Sequence, residues 1–477
     1  MSQLKILFAA SECFPLAKSG GLGDVIGALP KAFPNKQADV RIILPKYGSI
    51  PQPLLKSFKL IDHFSVDLGI KEEYVGIFKG KIDNITIYLI DNEYYFNRRN
   101  LYGDYDDGER FIYFSRAVLE ALPYMDFYPD VIHCHDWQTA LIPFLLKEQY
   151  HKHYTHTKSI FTIHNMKYQG VYSYGDVAQL LKLDHFPESM EYYGNLNWMK
   201  GALYAADFVT TVSPSYGEEI KDAYYGEGLE GVIKDIAYKE VGILNGIDKS
   251  EYNPQNDQNI FVNYTRSYSK KQENKVALQE HLSLPNEPEV PVIAMIGRLV
   301  EQKGLDLVSE VVHEILQMDV QLVVLGTGDE DYERLIRDVG YAYPDKVSAI
   351  INFDESLARK IYAGSDMFLM PSKFEPCGLS QLIALRYGSI PIVRETGGLR
   401  DTVKFYNKTT KSGNGFSFYS YNAHDMLFTI QKAVELYQNN PEDWIQLFQN
   451  AVKCNFDWKS SAESYLYYYK KVCGLLI

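Results

Sequence analysis

The chain has 477 residues, 46% apolar and 23% charged, the make-up of a globular protein long enough for about two to four domains. A formal net charge of −13 excludes a polyanion such as nucleic acid as the main partner, because that affinity rests on Lys and Arg, so any phosphate site has to be local. No apolar run approaches the ~20 residues of a membrane span, and Cys13, Cys134, Cys377, Cys454 and Cys473 are scattered without a CxxC spacing, which predicts a reduced, cytoplasmic setting.

The chain enters at once on a strand pattern, Leu4 to Ala10, too short and too strand-like for a signal peptide. The loop that follows delivers Lys18-Ser19-Gly20-Gly21-Leu22-Gly23-Asp24 to a helix predicted from Asp24 to Phe33. Glycines let the backbone approach a ligand closely, and a lysine beside them suits a phosphate. A dinucleotide fingerprint does not fit: the third glycine, Gly27, is one residue late, and the next strand ends in Pro45-Lys46, not in an acid for a ribose. Residues 57–96 alternate apolar and polar side chains and predict an antiparallel, strand-rich insertion. Asp104-Tyr105-Asp106 has the DxD form of metal-dependent sugar transferases, yet it stands directly before a helical run from Glu109 to Leu122. Acids favour a helix N-terminus, so the stretch predicts a helix start in preference to a metal site.

Further strands are predicted at Asp130 to Cys134, ending in His135-Asp136-Trp137-Gln138, at Lys158 to Ile163, ending in His164-Asn165, and at Ala206 to Val212. Histidine, acid and tryptophan at a strand end can line a sugar site or form a satisfied core cluster, and they lack a helical zinc spacing. A polar, Asn-rich stretch from Asn253 to Ser269 marks an inter-domain connection near residue 245. A second α/β series begins with strand Val292 to Ile296 and a loop carrying Arg298 and Lys303. It continues through Gln321 to Leu325, Val347 to Asn352 with Phe353 after it, Met367 to Met370 and Ile390 to Val393. Alternating strands and helices predict doubly wound parallel sheets. The loop Phe374-Glu375-Pro376-Cys377-Gly378-Leu379, between an apolar strand and a helix predicted from Gln381 to Tyr387, is where such a sheet collects ligands. Trp458, Tyr465, Tyr467, Tyr468 and Tyr469 read as a final helix packed by its aromatics.

Taken together and in order, Lys18-Ser19-Gly20-Gly21-Leu22, His135-Asp136-Trp137, Arg298 with Lys303, and Glu375-Pro376-Cys377-Gly378-Leu379 strongly resemble the bacterial glycogen synthase and starch synthase family. The resemblance runs from the first strand to the last helix. It implies an α/β fold of the GT-B type: a Rossmann-like domain over 1–244, a second over 245–456, and a helix over 457–477 returning to the first, with a deep cleft between the domains and a hinge near Asn245. It implies transfer of glucose from ADP-glucose to the non-reducing end of an α-1,4-glucan such as glycogen, with retention of configuration and with neither metal nor cofactor. Lys18, Gly20, Gly21 and Asp24 would then serve the donor, and Arg298 and Lys303 its diphosphate. Glu375, Cys377, Gly378, Leu379 and Ser380 would meet the transferred glucose, with His164 and Asn245 approaching from the other domain. Asp136, Trp137 and Gln138 would line the acceptor side, and Phe353 would stack on adenine. Glu375, His164, Arg298 and Lys303 form the expected catalytic set.

The chain departs from the family pattern at three positions. Gln138 stands where the family usually has a histidine, and an amide can hydrogen-bond a sugar but cannot titrate. Phe353 stands for a tyrosine, keeping the stacking surface and losing a hydroxyl. Ser19 stands for a threonine. Breaking a glucosyl–diphosphate bond builds negative charge on the leaving group, which Arg298, Lys303 and Lys18 can meet. A single motif acid, in place of two carboxylates ~5 Å apart, argues against a covalent glycosyl-enzyme. Two other classes stay open: a non-catalytic sugar binder, which has no use for three cations, and a phosphorylase of similar architecture, which would hold pyridoxal phosphate on a lysine.

Overall fold

Consecutive side chains in the later strands sort into two separate cores, and that sorting explains why those strands are apolar throughout. In a computed structural model, which describes residues 3–476, Ile293, Met295, Leu322, Val324, Met367 and Leu369 belong to one buried cluster. Their neighbours Val292, Ala294, Val323, Leu325, Phe368 and Met370 belong to another. Side chains alternate across a strand, so a sheet covered by helices on both faces needs apolar residues at every position.

These strands form a six-stranded parallel sheet in the spatial order Val347–Ile350, Gln321–Leu325, Val292–Ile296, Met367–Met370, Ile390–Arg394, Phe416–Phe418. The winding reverses between Val292–Ile296 and Met367–Met370, so the loops after these two strands leave the sheet as neighbours. That switch point is where an open α/β sheet offers a binding crevice. The unit containing this sheet spans Ile247–Asp457.

The other compact unit holds the residues up to Gly246 together with those from Trp458 onward. Its nine-stranded sheet runs Glu240–Gly242, Phe208–Thr211, Lys158–Ile163, Val131–His135, Leu4–Ala9, Ala38–Pro45, Ile85–Asp91, Glu72–Ile82, Lys59–Asp67. The last three strands carry the antiparallel pairings, although Ile85–Asp91 joins Ala38–Pro45 in parallel. Here the winding reverses at Leu4–Ala9, flanked by Val131–His135 and Ala38–Pro45. The final helix, Trp458–Val472, buries Trp458, Tyr465 and Tyr469. It is tied down by Ser461 Oγ donating to the Leu244 carbonyl at 2.6 Å and by Tyr469 Oη at 2.7 Å from His133 Nδ1.

Two local expectations are corrected. The first helix spans Gly21–Ala28 and gives way to a 3-10 turn at Leu29–Ala32, because Gly20 in extended conformation already ends the loop and Pro30 cannot continue an α-helix. The helix after the DxD stretch spans Asp107–Ala121, and Asp106 at its start makes no side-chain capping bond. Asp106 instead pairs with Arg98 at 2.7 Å, and Asp104 with Arg110 at 3.2 Å.

Candidate active site

In the second unit, two neighbouring switch-point loops are bound to each other before any side chain is considered. The Lys373 amide donates to the Gln302 carbonyl at 2.9 Å. Gly304, at φ 77°, lets the first loop pass the Pro371 carbonyl where a Cβ would collide. Gly397, at φ 44°, presses likewise on the Glu375 carbonyl, which also accepts the Gly398 amide at 3.1 Å. The Gln381 amide group donates to the carbonyls of Cys377 at 3.0 Å and Gly378 at 2.9 Å. The main chain around Glu375 is thus held from several directions.

Glu375 itself is only 7% exposed. Its Oε2 accepts from Lys303 Nζ at 2.5 Å and from Ser372 Oγ at 3.1 Å, while Oε1 accepts no hydrogen bond among the described residues. Arg298 is exposed on the same loop as Lys303, and its guanidinium has no partner among the described residues. Cys377 is buried, and Gly378, Leu379 and Ser380 are half-buried at the start of the helix Ser380–Tyr387. Phe353, after the edge strand, is 81% exposed, a ring open on the surface of this unit.

In the first unit, Lys18, Ser19, Gly20 and Gly21 are exposed, and the loop is anchored from below by Glu12, which is 3% exposed. Glu12 Oε2 accepts the amides of Ser19 at 2.7 Å and Gly20 at 3.1 Å. Its Oε1 accepts the hydroxyls of Ser19 at 2.7 Å and Tyr102 at 2.9 Å. The Gly20 amide is therefore already engaged. Lys18 Nζ meets Asp24 at 2.7 Å.

The strand ends Val131–His135 and Lys158–Ile163 lie side by side and deliver the histidine–acid group. Asp136 has φ 56° and ψ −178°, a region that is almost glycine's alone and costs ~1–3 kcal/mol. The strained backbone aims its carboxylate at the chain after the neighbouring strand: Oδ1 accepts the amide of His164 at 2.7 Å. Burial pushes the Asp136 carboxyl up to about 7, against the lowering by the His164 and Asn165 amides. His164 Nε2 lies 3.0 Å from His135 Nδ1. Burial lowers both imidazoles, and that of His133, below the ordinary histidine value.

Trp137 packs edge-on to Phe111 at 5.1 Å and lies 6.1 Å from Trp198, so part of its ring belongs to an aromatic cluster. Gln138 and Asn245 are each 5% exposed, and each buries a side-chain oxygen that has no partner among the described residues. The structure thus gathers Glu375, Lys303 and Cys377 in one unit, and Asp136, His164 and His135 in the other. Glu12 and Ser372 were not among the expected site residues, and His135 was expected only as part of the His135-Asp136-Trp137 group at its strand end. Of the first two only Glu12 carried a signal, being an acid just past the carboxyl end of the switch-point strand.

Two Rossmann-like units, each with its polar side chains on the loops that follow the carboxyl ends of parallel strands, define a glycosyltransferase of the GT-B class. Residues 5–235 match the family model for the starch synthase catalytic domain, and residues 279–449 the one for glycosyl transferases group 1. The chain is 52% identical over 468 residues to a glycogen synthase of Anoxybacillus flavithermus, covering 97% of this chain and 96% of that one. It is equally identical over 475 residues to a glycogen synthase of Bacillus cereus strain Q1, covering 98% and 100%. Among solved structures it superposes on the catalytic domain of starch synthase IV from Arabidopsis thaliana, bound to ADP and acarbose. That match has a TM-score of 0.90 and 35% identity and covers 99% of this chain and all of the other. The chain belongs to the glycogen and starch synthase family.

Proposed function

We propose that the protein transfers glucose from ADP-glucose to the non-reducing end of an α-1,4-glucan, with retention of configuration and without a metal ion, as a cytoplasmic enzyme. The observation that carries the reading is Glu375: a buried carboxylate with one oxygen tied to Lys303 and the other unbonded, on a loop clamped at a switch point. Such an oxygen can face the positive charge that develops on a sugar ring as its bond to the diphosphate breaks. ADP bound to the starch synthase IV relative supports the choice of nucleotide.

In this reading Arg298 and Lys303 hold the diphosphate, with Lys18, Gly21 and Asp24 completing the donor contacts. Gly20 contributes its place in the chain, since its amide is spent on Glu12. Phe353 stacks on the base. Cys377, Gly378, Leu379 and Ser380 wall the glucose, and His164 and Asn245 contact its hydroxyls. Asp136, Trp137 and Gln138 border the acceptor. Asp104 and Asp106, each paired with an arginine, are not assigned to a cation. Fixed cations lower the barrier to departure by about 3 kcal/mol each. With one carboxylate in place, the acceptor 4-hydroxyl attacks the face that the diphosphate leaves, on an oxocarbenium-like centre.

Initial rates with ADP-glucose and with UDP-glucose, each with and without glycogen, test the proposal. Glucose incorporation that needs glycogen and prefers ADP-glucose is the expected result. A preference for UDP-glucose overturns the nucleotide assignment, and no incorporation from either nucleotide sugar, with glucose 1-phosphate released when glycogen is given free phosphate instead, overturns the reaction.

A further inference from the structure

We propose that His135 is a positioning residue: it locks His164 into the neutral tautomer with its proton on Nδ1, so that His164 offers a hydrogen-bond donor to the transferred sugar. The second half of this statement rests on the reading of His164 as a sugar contact; the tautomer does not.

The argument is an accounting of protons. His135 Nδ1 and His164 Nε2 are 3.0 Å apart, a hydrogen-bond distance, so one of the two nitrogens carries a proton and the other accepts it. A neutral imidazole has one donor and one acceptor nitrogen. If His164 Nε2 were the donor, His135 would accept at Nδ1 and carry its own proton on Nε2. That Nε2 is buried with no partner among the described residues, and His135 as a whole is fully buried. The ring stacks on Phe8 at 5.3 Å with 21° between planes and lies 4.1 Å from the His133 ring, and neither presents an acceptor to its edge. His133 spends its own nitrogens on Tyr469 and Thr162. The alternative would strand an N–H in the core, the rarest kind of unsatisfied group. With the proton on His135 Nδ1, the stranded atom is a bare ring nitrogen, and His164 has to carry its proton on Nδ1.

An imidazolium on either ring is disfavoured by the same burial that lowers both groups. This matters to the chemistry. A cationic His164 would repel an oxocarbenium-like sugar, whereas a neutral donor can hold a sugar hydroxyl without adding charge. The Asp136 carboxylate fixes the His164 backbone at 2.7 Å, and His135 fixes the ring. Main chain and side chain are thus set by two consecutive residues of the neighbouring strand end.

The test is a long-range proton–nitrogen correlation spectrum of the full chain labelled with 15N-histidine, assigned with His164→Asn. The expected result is a His164 ring with a protonated Nδ1 and a bare Nε2. A protonated Nε2 on His164 overturns the proposal on the unaltered protein, whatever the variants do. Kinetics supply the second readout. His135→Asn places an amide nitrogen near the position of Nδ1 and should retain most of kcat, whereas His135→Gln and His135→Leu should lose about tenfold in kcat with little change in the donor KM, as for one lost hydrogen bond. Equal activity of His135→Asn and His135→Gln contradicts the proposal. A wild-type rate in His164→Ala sinks the sugar contact itself, separately from the tautomer.

Discussion

Glu12 and Glu375 are both buried acids at switch points, one in each unit, yet their acceptor bonds are distributed in opposite ways. Each Glu12 oxygen accepts two bonds, from the amides and hydroxyl of the Lys18–Gly20 loop and from Tyr102. Glu375 concentrates its bonds on one oxygen, where Lys303 supplies a charge and Ser372 a hydroxyl. The other oxygen accepts nothing among the described residues. A saturated carboxylate can only shape a loop. A half-satisfied one, held rigid by the glycine contacts on its own carbonyl, has an oxygen left for a reacting group. Burial alone does not distinguish the two acids; the distribution of their acceptor bonds does.

The largest effect that can sharpen this contrast belongs to Lys303. Lys303→Met leaves Glu375 buried without its counter-charge and should cost about 3 kcal/mol of stability, toward the low end for breaking a buried pair because Lys303 is a quarter exposed. Adding Glu375→Gln should recover most of that loss, which chemical denaturation of the two single variants and the double variant reads directly. Strict additivity would show that the pair is not coupled. Glu12→Gln comes next. Weakening charge-assisted bonds to two amides should lower stability by about 2 kcal/mol and raise the donor KM more than it lowers kcat. If kcat fell with an unchanged melting curve, Glu12 would belong with Glu375, and the contrast would collapse.

A smaller effect is expected at Asp136. Its folded carboxyl titrates at about 7, raised by burial, against an ordinary unfolded value near 4. Between these values the folded state binds more protons than the unfolded one, so this group's stabilisation falls as pH rises from about 4 to 7 and is level above that. Asp136→Asn keeps an acceptor for the His164 amide and should flatten that part of the stability–pH curve; an unchanged slope from pH 5 to 7 would refute the shift. Smallest of all is the effect of EDTA, which should leave the transferase rate unchanged. A loss of rate restored only by a divalent ion would reopen the role of Asp104 and Asp106.

How much of this was legible in the sequence depended on how local the cause was. Lys158–Ile163, Val292–Ile296, Gln321–Leu325 and Met367–Met370 have the bounds expected of them, because strands covered on both faces read as continuous apolar runs. The small antiparallel sheet of Val171–Ser173, Asn195–Asn197 and Glu191–Tyr192 left no such trace, being short and half polar. Glu375 stood out beside a strand, a proline and a glycine. The clamp around it did not, since Gly304 meets Pro371 and Gly397 meets Glu375 only through the fold. The strain at Asp136 and the pairing of His135 with His164 were invisible for the same reason, for both depend on two strands lying side by side.

The most direct test of the account is the turnover of Glu375→Gln at saturating ADP-glucose and glycogen, with its melting curve recorded alongside. The substitution keeps the size and a hydrogen-bonding tip but removes the charge proposed to face the sugar at the transition state. The account predicts a folded protein that turns over about a hundredfold more slowly, a loss of about 3 kcal/mol, with the donor KM close to wild type. A stable Glu375→Gln protein with wild-type kcat would contradict it and leave Glu375, like Glu12, a residue that only holds its loop.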